Sequence, residues 1–115
     1  MINVVIKENS KNEPYSFSIS GHAMYDEYGK DIICAGVSVL AITIANSMLI
    51  NCKNEVNVLQ DEKNATITIK IPNILKGNAS DEVKVLSKTL LLGLTNIEKE
   101  YGNKYINVKE EVTND

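Results

Sequence analysis

The chain is poor in the residues that build metal and redox sites. Its 115 residues include one histidine and two cysteines, with no Cys-x-x-Cys pair, so the soft ligands for a structural zinc are missing. Cys34 and Cys52 lie 18 residues apart. Carried on one helix they would be about 27 Å apart, whereas a disulfide needs Cα atoms within ~7 Å. The thiols are therefore expected to be reduced, with no metal and no cofactor. Arginine is absent too. The twelve basic residues are all lysines, scattered under a net charge of −3, which gives no basic field for nucleic acid. The first seven residues have neither a basic start nor a long apolar stretch with a cleavage site, so they do not read as a signal peptide and a cytoplasmic location is expected. No repeat, Pro-rich linker or low-complexity tract divides the chain, and residues 1–115 read as one domain.

Charge is missing from one long stretch, Ile32 to Asn51, which matches a membrane span in length. Ser38, Thr43, Asn46, Ser47 and Asn51 recur along it and no Lys/Arg cluster flanks it, so a soluble helix is the expectation and no membrane is implied. The overall balance, 43% hydrophobic and 23% charged, is that of a globular domain with one real core.

Ile2, Val4 and Ile6 alternate with polar or opposite-facing positions, as do Tyr15, Phe17 and Ile19, which predicts two strands joined by the polar turn at 9–13. Val56 and Val58, then Ala65, Ile67 and Ile69, predict a second hairpin around 60–64. Between the hairpins, Ile33, Val37, Leu40, Ile44 and Met48 fall at helical spacing in a segment too long for a strand. Its other faces are also apolar, so it should be buried on several sides or lie in a subunit interface. Val83, Leu86, Leu90, Leu94, Ile97 and Tyr101 predict a second helix with Ser80 as N-cap and Gly102 as its stop. Tyr105 to Lys109 completes a β-β-α-β-β-α-β order, an α+β sandwich with a mainly antiparallel sheet and two helices.

The segment from Gly21 to Ser38 carries the chemistry. It holds the only histidine, His22, at a strand end. A polar loop bounded by Gly21 and Gly29 then enters the long helix at Asp31, read as the N-cap. That cap would place Cys34 in the first helical turn, where the dipole favours thiolate. An adjacent His22 would complete a Cys–His pair for nucleophilic catalysis. The amides of Cys34 and Ala35 would then be open to an oxyanion. Each residue also has a plainer reading: Cys34 as a small core hydrophobe, His22 as a turn residue, Asp31 as a cap alone. Cys52, at the far helix end, reads as structural.

Gly21-His22-Ala23 followed by Gly29-Lys30-Asp31-Ile32-Ile33-Cys34-Ala35-Gly36-Val37-Ser38 resembles, in order and spacing, the signature of the bacterial ribosomal-processing cysteine proteases. The resemblance extends to chain length and element order. It implies that His22 and Cys34 are catalytic, with Asp31 and Ser38 at the positions of the family's Asp and Ser. Gly36 departs from the alanine common there, and a residue without a side chain admits substrate backbone or the loop closely. The resemblance further implies a cysteine endopeptidase that removes the N-terminal extension of a large-subunit ribosomal protein after an aromatic residue, acting as a homodimer. From its polarity, its place between His22 and Cys34 and its flanking glycines, the segment Met24 to Lys30 is read as a lid that closes on substrate, with Tyr25, Asp26, Glu27, Tyr28 and Gly29 as its substrate-facing residues. The competing reading is a non-enzymatic module that binds a ribosomal or nascent chain through this loop.

Overall fold

The computed structural model describes residues 1–21 and 28–113, with residues 28–31 described by their backbone alone. Strands β1 (Ile2–Glu8) and β2 (Pro14–Ser20) lead to helix α1 (Tyr28–Asn51) and a 3-10 turn at Lys53–Glu55. Then come β3 (Asn57–Asp61), β4 (Thr66–Lys70), a short helix α2 (Pro72–Lys76), the long α3 (Asp81–Tyr101) and β5 (Ile106–Val112). The five strands form one sheet in the order β3-β4-β2-β1-β5. Pairings β1–β2, β2–β4 and β3–β4 are antiparallel, while β1–β5 is parallel. The sheet is thus mixed, and mainly antiparallel as expected.

Register explains which face is covered. Ile6, Phe17 and Ile69 stand in one row across β1, β2 and β4, and Val4 and Ile19 in the next. All five are buried. The opposite face carries Asn3, Lys7, Ser18 and Lys70 and is open. The apolar row set is one sheet face; α1 and α3, which pack on each other, complete its core with Val37, Ala41, Met48, Val83, Leu90 and Leu94. The two helices approach closely because Gly93 has no side chain: a Cβ there would fall 2.5 Å from a methyl of Leu40.

Both predicted marks on α3 are present. Ser80 caps it by accepting the Val83 N–H at 3.2 Å, and Gly102 ends it with its N–H on the Glu98 carbonyl. Tyr101, expected on the buried face, is 56% exposed. Helix α2 and the 3-10 turn were not expected, since five and three residues are too few for a hydrophobic period to register. Strand β5 runs on to Val112 because parallel pairing with β1 continues through Glu110 and Glu111. On its outer edge the Glu98 carboxylate accepts the Val108 N–H at 2.6 Å, covering a backbone group that would otherwise invite another strand.

Two carboxyl groups respond oppositely to their surroundings. Glu55 accepts the Ser80 N–H and hydroxyl, and these bonds hold its carboxyl below the ordinary range. They tie the turn after α1 to the cap of α3. Glu8 takes a core-facing position at the far end of β1 and is only 4% exposed. Burial first, then a hydrogen bond and repulsion from Glu110, push it up to about 7. A raised carboxyl favours folding while protonated, so its contribution is complete below the ordinary carboxyl value and is lost as pH rises toward 7. We predict that Glu8→Gln leaves stability near wild type at pH 5 and raises it by about 1–2 kcal/mol at pH 8, measured by urea unfolding at both values. An unchanged difference across that range would show that the Glu8 carboxyl is not coupled to folding.

Candidate active site

The end of β2, the start of α1, the β3–β4 turn, the end of α3 and the start of β1 and β5 all lie at one end of the sheet, as strand direction and register require. Gly21 is the last described residue before the histidine. Its N–H donates to the Ala65 carbonyl at 3.1 Å. Its φ is +85°, in the left-handed region, and a Cβ would lie 2.5 Å from the Met1 carbonyl oxygen. Only glycine fits both demands. Neither Met1 nor Ala65 was singled out from the sequence, because a backbone carbonyl leaves no mark in residue type.

His22, Tyr25, Asp26 and Glu27 lie outside the described residues. Tyr28 and Gly29, expected in the loop, belong to the first turn of α1. The helix therefore starts three residues before Asp31, and Asp31 is not its N-cap. Cys34 is correspondingly the seventh helical residue, in the second turn and not the first. Two expectations change with it. The amides of Cys34 and Ala35 sit where a helix bonds them to carbonyls four residues back, so they are not the open donors; those belong to the turn before Asp31. The dipole, which acts mainly within the first turn, reaches Cys34 less.

Around the helix, Cys34 points into the core at 0% exposure, whereas Ala35 and Gly36 face outward. Ser38, four residues on, shares the Cys34 side and is half-buried. Among the described residues, nothing lies within 4 Å of where a Gly36 Cβ would be, so none of them requires glycine there. Neither cysteine is in a disulfide. Cys52 is buried directly after α1; burial and then the Glu55 charge push its thiol up, which fits an inert, structural residue. Among the described residues no cluster of His, Cys, Asp or Glu is suited to a metal ion.

The family model for cysteine protease Prp matches residues 1–107. The chain belongs to the cysteine protease Prp family. The ribosomal processing cysteine protease Prp of Bacillus subtilis is 26% identical over 101 residues, covering 88% of this chain and 90% of that protein. The Staphylococcus aureus protein of the same name is 29% identical over 101 residues, covering 88% and 92%. A crystal structure of Prp from Staphylococcus aureus with a substrate peptide superposes with a TM-score of 0.81 at 29% identity, over 96% of this chain and all (100%) of that one. Another, with a covalently linked product peptide, gives 0.80 at 28% identity over the same shares, 96% and 100%.

Within this Prp fold the position of Asp31 separates capping from other duties. Asn caps a helix as well as Asp, and Ala does not. Because Asp31 stands inside α1, Asp31→Ala should be at least as stable as Asp31→Asn, within about 0.5 kcal/mol or better, by thermal unfolding; a clear advantage for Asn would restore the cap. Gly36→Ala should raise stability by about 0.5–1 kcal/mol, as expected when glycine leaves a helix interior. Unfolding measures this directly, and a lower midpoint would contradict the open space around Gly36.

Proposed function

We propose that this chain is a cysteine endopeptidase that removes the N-terminal extension of a large-subunit ribosomal protein, with Cys34 as nucleophile and His22 as base. The observation that carries the reading is the Prp family match over residues 1–107, which spans both residues and the fold around them. In this scheme the Cys34 thiolate attacks the scissile carbonyl carbon, and the imidazolium of His22 gives its proton to the departing amine. The thioester so formed is hydrolysed by a water that His22 deprotonates. With Cys34 one turn deeper in α1 than the sequence suggested, the helix dipole does less of the activation and His22 correspondingly more. Ser38 supports the thiol from the same helix face, and Asp31 and Ala35 lie within one turn of it. Tyr25, Asp26 and Glu27 supply substrate contacts between the two catalytic residues.

A homodimer in the cytoplasm completes the proposal. Its support is the outer face of α1, where Ile32, Val39, Leu49 and Ile50 are 47%, 66%, 40% and 78% exposed in a stretch without charge. The same stretch is long and apolar enough to cross a membrane, but Ile33, Val37, Ala41, Ile44 and Met48 on its inner side are buried in the core. A second copy covering the outer side accounts for both faces. Val39→Glu should then yield a monomer by analytical ultracentrifugation; an unchanged mass would remove α1 from the interface.

The competing reading, a binding module without catalysis, is separated by thiol chemistry. Cys34 and Cys52 are both buried, at 0% and 6% exposure, so Cys34 has no advantage in exposure, and the dependence of its alkylation on His22 reports activation. Cys34→Ala is expected to abolish cleavage of a peptide spanning the extension while remaining folded, and His22→Ala to lower the rate at least about 100-fold. Retained turnover in Cys34→Ala, or alkylation of Cys34 no faster than Cys52, would leave the binding module as the better account.

A further inference from the structure

Three segments remote in sequence meet at Gly21. From one side comes the β3–β4 turn. The Asp61 carboxylate accepts the Asn64 N–H at 3.2 Å and the Asn64 side-chain amide at 2.7 Å, bonds that keep this carboxyl below its ordinary range. The turn then closes with the Ala65 N–H on the Glu62 carbonyl at 3.3 Å. Ala65 itself has φ +53°, a left-handed conformation that an alanine holds only when its neighbours impose it. In that conformation its carbonyl takes the Gly21 N–H, one residue beyond the last pair of the β2–β4 ladder, Ser20 with Thr66. From the other side comes Met1, whose carbonyl oxygen fills the place of a Gly21 side chain. That peptide is fixed in turn by the Ile2 N–H on the Tyr105 carbonyl at 2.8 Å.

We propose that the β3–β4 turn, through Asp61, Asn64 and Ala65, is a positioning element for His22: with the Met1 carbonyl it sets the place and direction from which the chain leaves the sheet into that residue. The inference rests on His22 being the base. Gly21 is covalently next to His22, so a rotation about the Gly21 backbone moves the imidazole by more than it moves the sheet. Both of its partners, the Ala65 and Met1 carbonyls, come from outside the Gly21–Ser38 segment. Catalytic geometry then depends on an exposed turn about forty residues away in sequence, with Asp61 and Asn64 as positioning residues that touch neither substrate nor the reacting atoms. A misplacement on the order of 1 Å in such a group costs up to about 100-fold in rate.

The test compares wild type, Asp61→Ala, Asp61→Asn, Gly21→Ala and His22→Ala for kcat and KM on the extension peptide, and for the pH profile of Cys34 alkylation by iodoacetamide. Asp61→Asn keeps an oxygen acceptor for the Asn64 N–H and serves as the conservative rescue. Asp61→Ala is expected to lower kcat by about 5–20-fold with KM within about twofold, and to move the alkylation profile toward that of His22→Ala. Asp61→Asn is expected to recover most of both, and Gly21→Ala to exceed Asp61→Ala. If Gly21→Ala fails to fold, the Asp61 pair decides alone. Wild-type kcat and profile in a folded Asp61→Ala, with both lost in His22→Ala, would overturn the positioning role and leave the base assignment standing. A wild-type profile in His22→Ala would instead overturn the base assignment, and the inference with it.

Discussion

A helix without charge from Ile32 to Asn51 has to be covered, and most of this structure follows from how that part of α1 is covered. Its inner side, from Ile33 and Cys34 through Val37, Ala41 and Met48, enters the same core as Ile6, Phe17 and Ile69 of the sheet. Closeness to α3 comes from the missing side chain of Gly93 against Leu40. The far end is tied by Glu55 to the cap of α3. Held from Ile33 to its far end, the helix presents Cys34 in a fixed place. Burying a large apolar side chain contributes about 1.5–3 kcal/mol, so the rigidity comes from many modest contributions and not from one strong bond.

Burial makes Cys34 an unusual choice for the nucleophile of the proposed activity. In a chain with a single interior, a thiol on the inner face of a core helix would ordinarily be a small hydrophobe. What distinguishes Cys34 is its place in the second turn of α1, the helix that starts at the sheet end where six chain segments converge. Cys52, at the opposite end of the same helix, has burial and the Glu55 charge both acting against its thiolate. Two cysteines of similar burial thus sit toward opposite ends of one helix, and the proposed activity requires chemistry to separate them where exposure does not.

The strands were legible in the sequence because one face of the sheet is buried and the other open, which forces alternation in Ile2–Ile6, Tyr15–Ile19 and Ile67–Ile69; Ala65, expected to begin the last of these, lies in the turn before it with φ +53°. Ser80 and Gly102 were legible because capping needs particular side chains. The start of α1 was not, since Asp31 ahead of an apolar run looks like a cap and Gly29 looks like a loop residue, yet three more residues join the helix. Motif order brought out His22 and Cys34, but the carbonyls of Met1 and Ala65 that meet at Gly21 belong to backbone and are invisible to residue type. For Gly21 itself the sequence showed a turn; the reason that it must be glycine is the close approach of Met1.

The central claim is that Cys34, activated by His22, is the group that bonds to substrate. The most direct measurement is intact-mass and peptide-mapping mass spectrometry after exposure to a peptidyl electrophile that ends in an aromatic residue. The account predicts one adduct per chain, located on Cys34, formed slowly or not at all in His22→Ala. An adduct on Cys52, or equal labelling of Cys34 with and without His22, would contradict it.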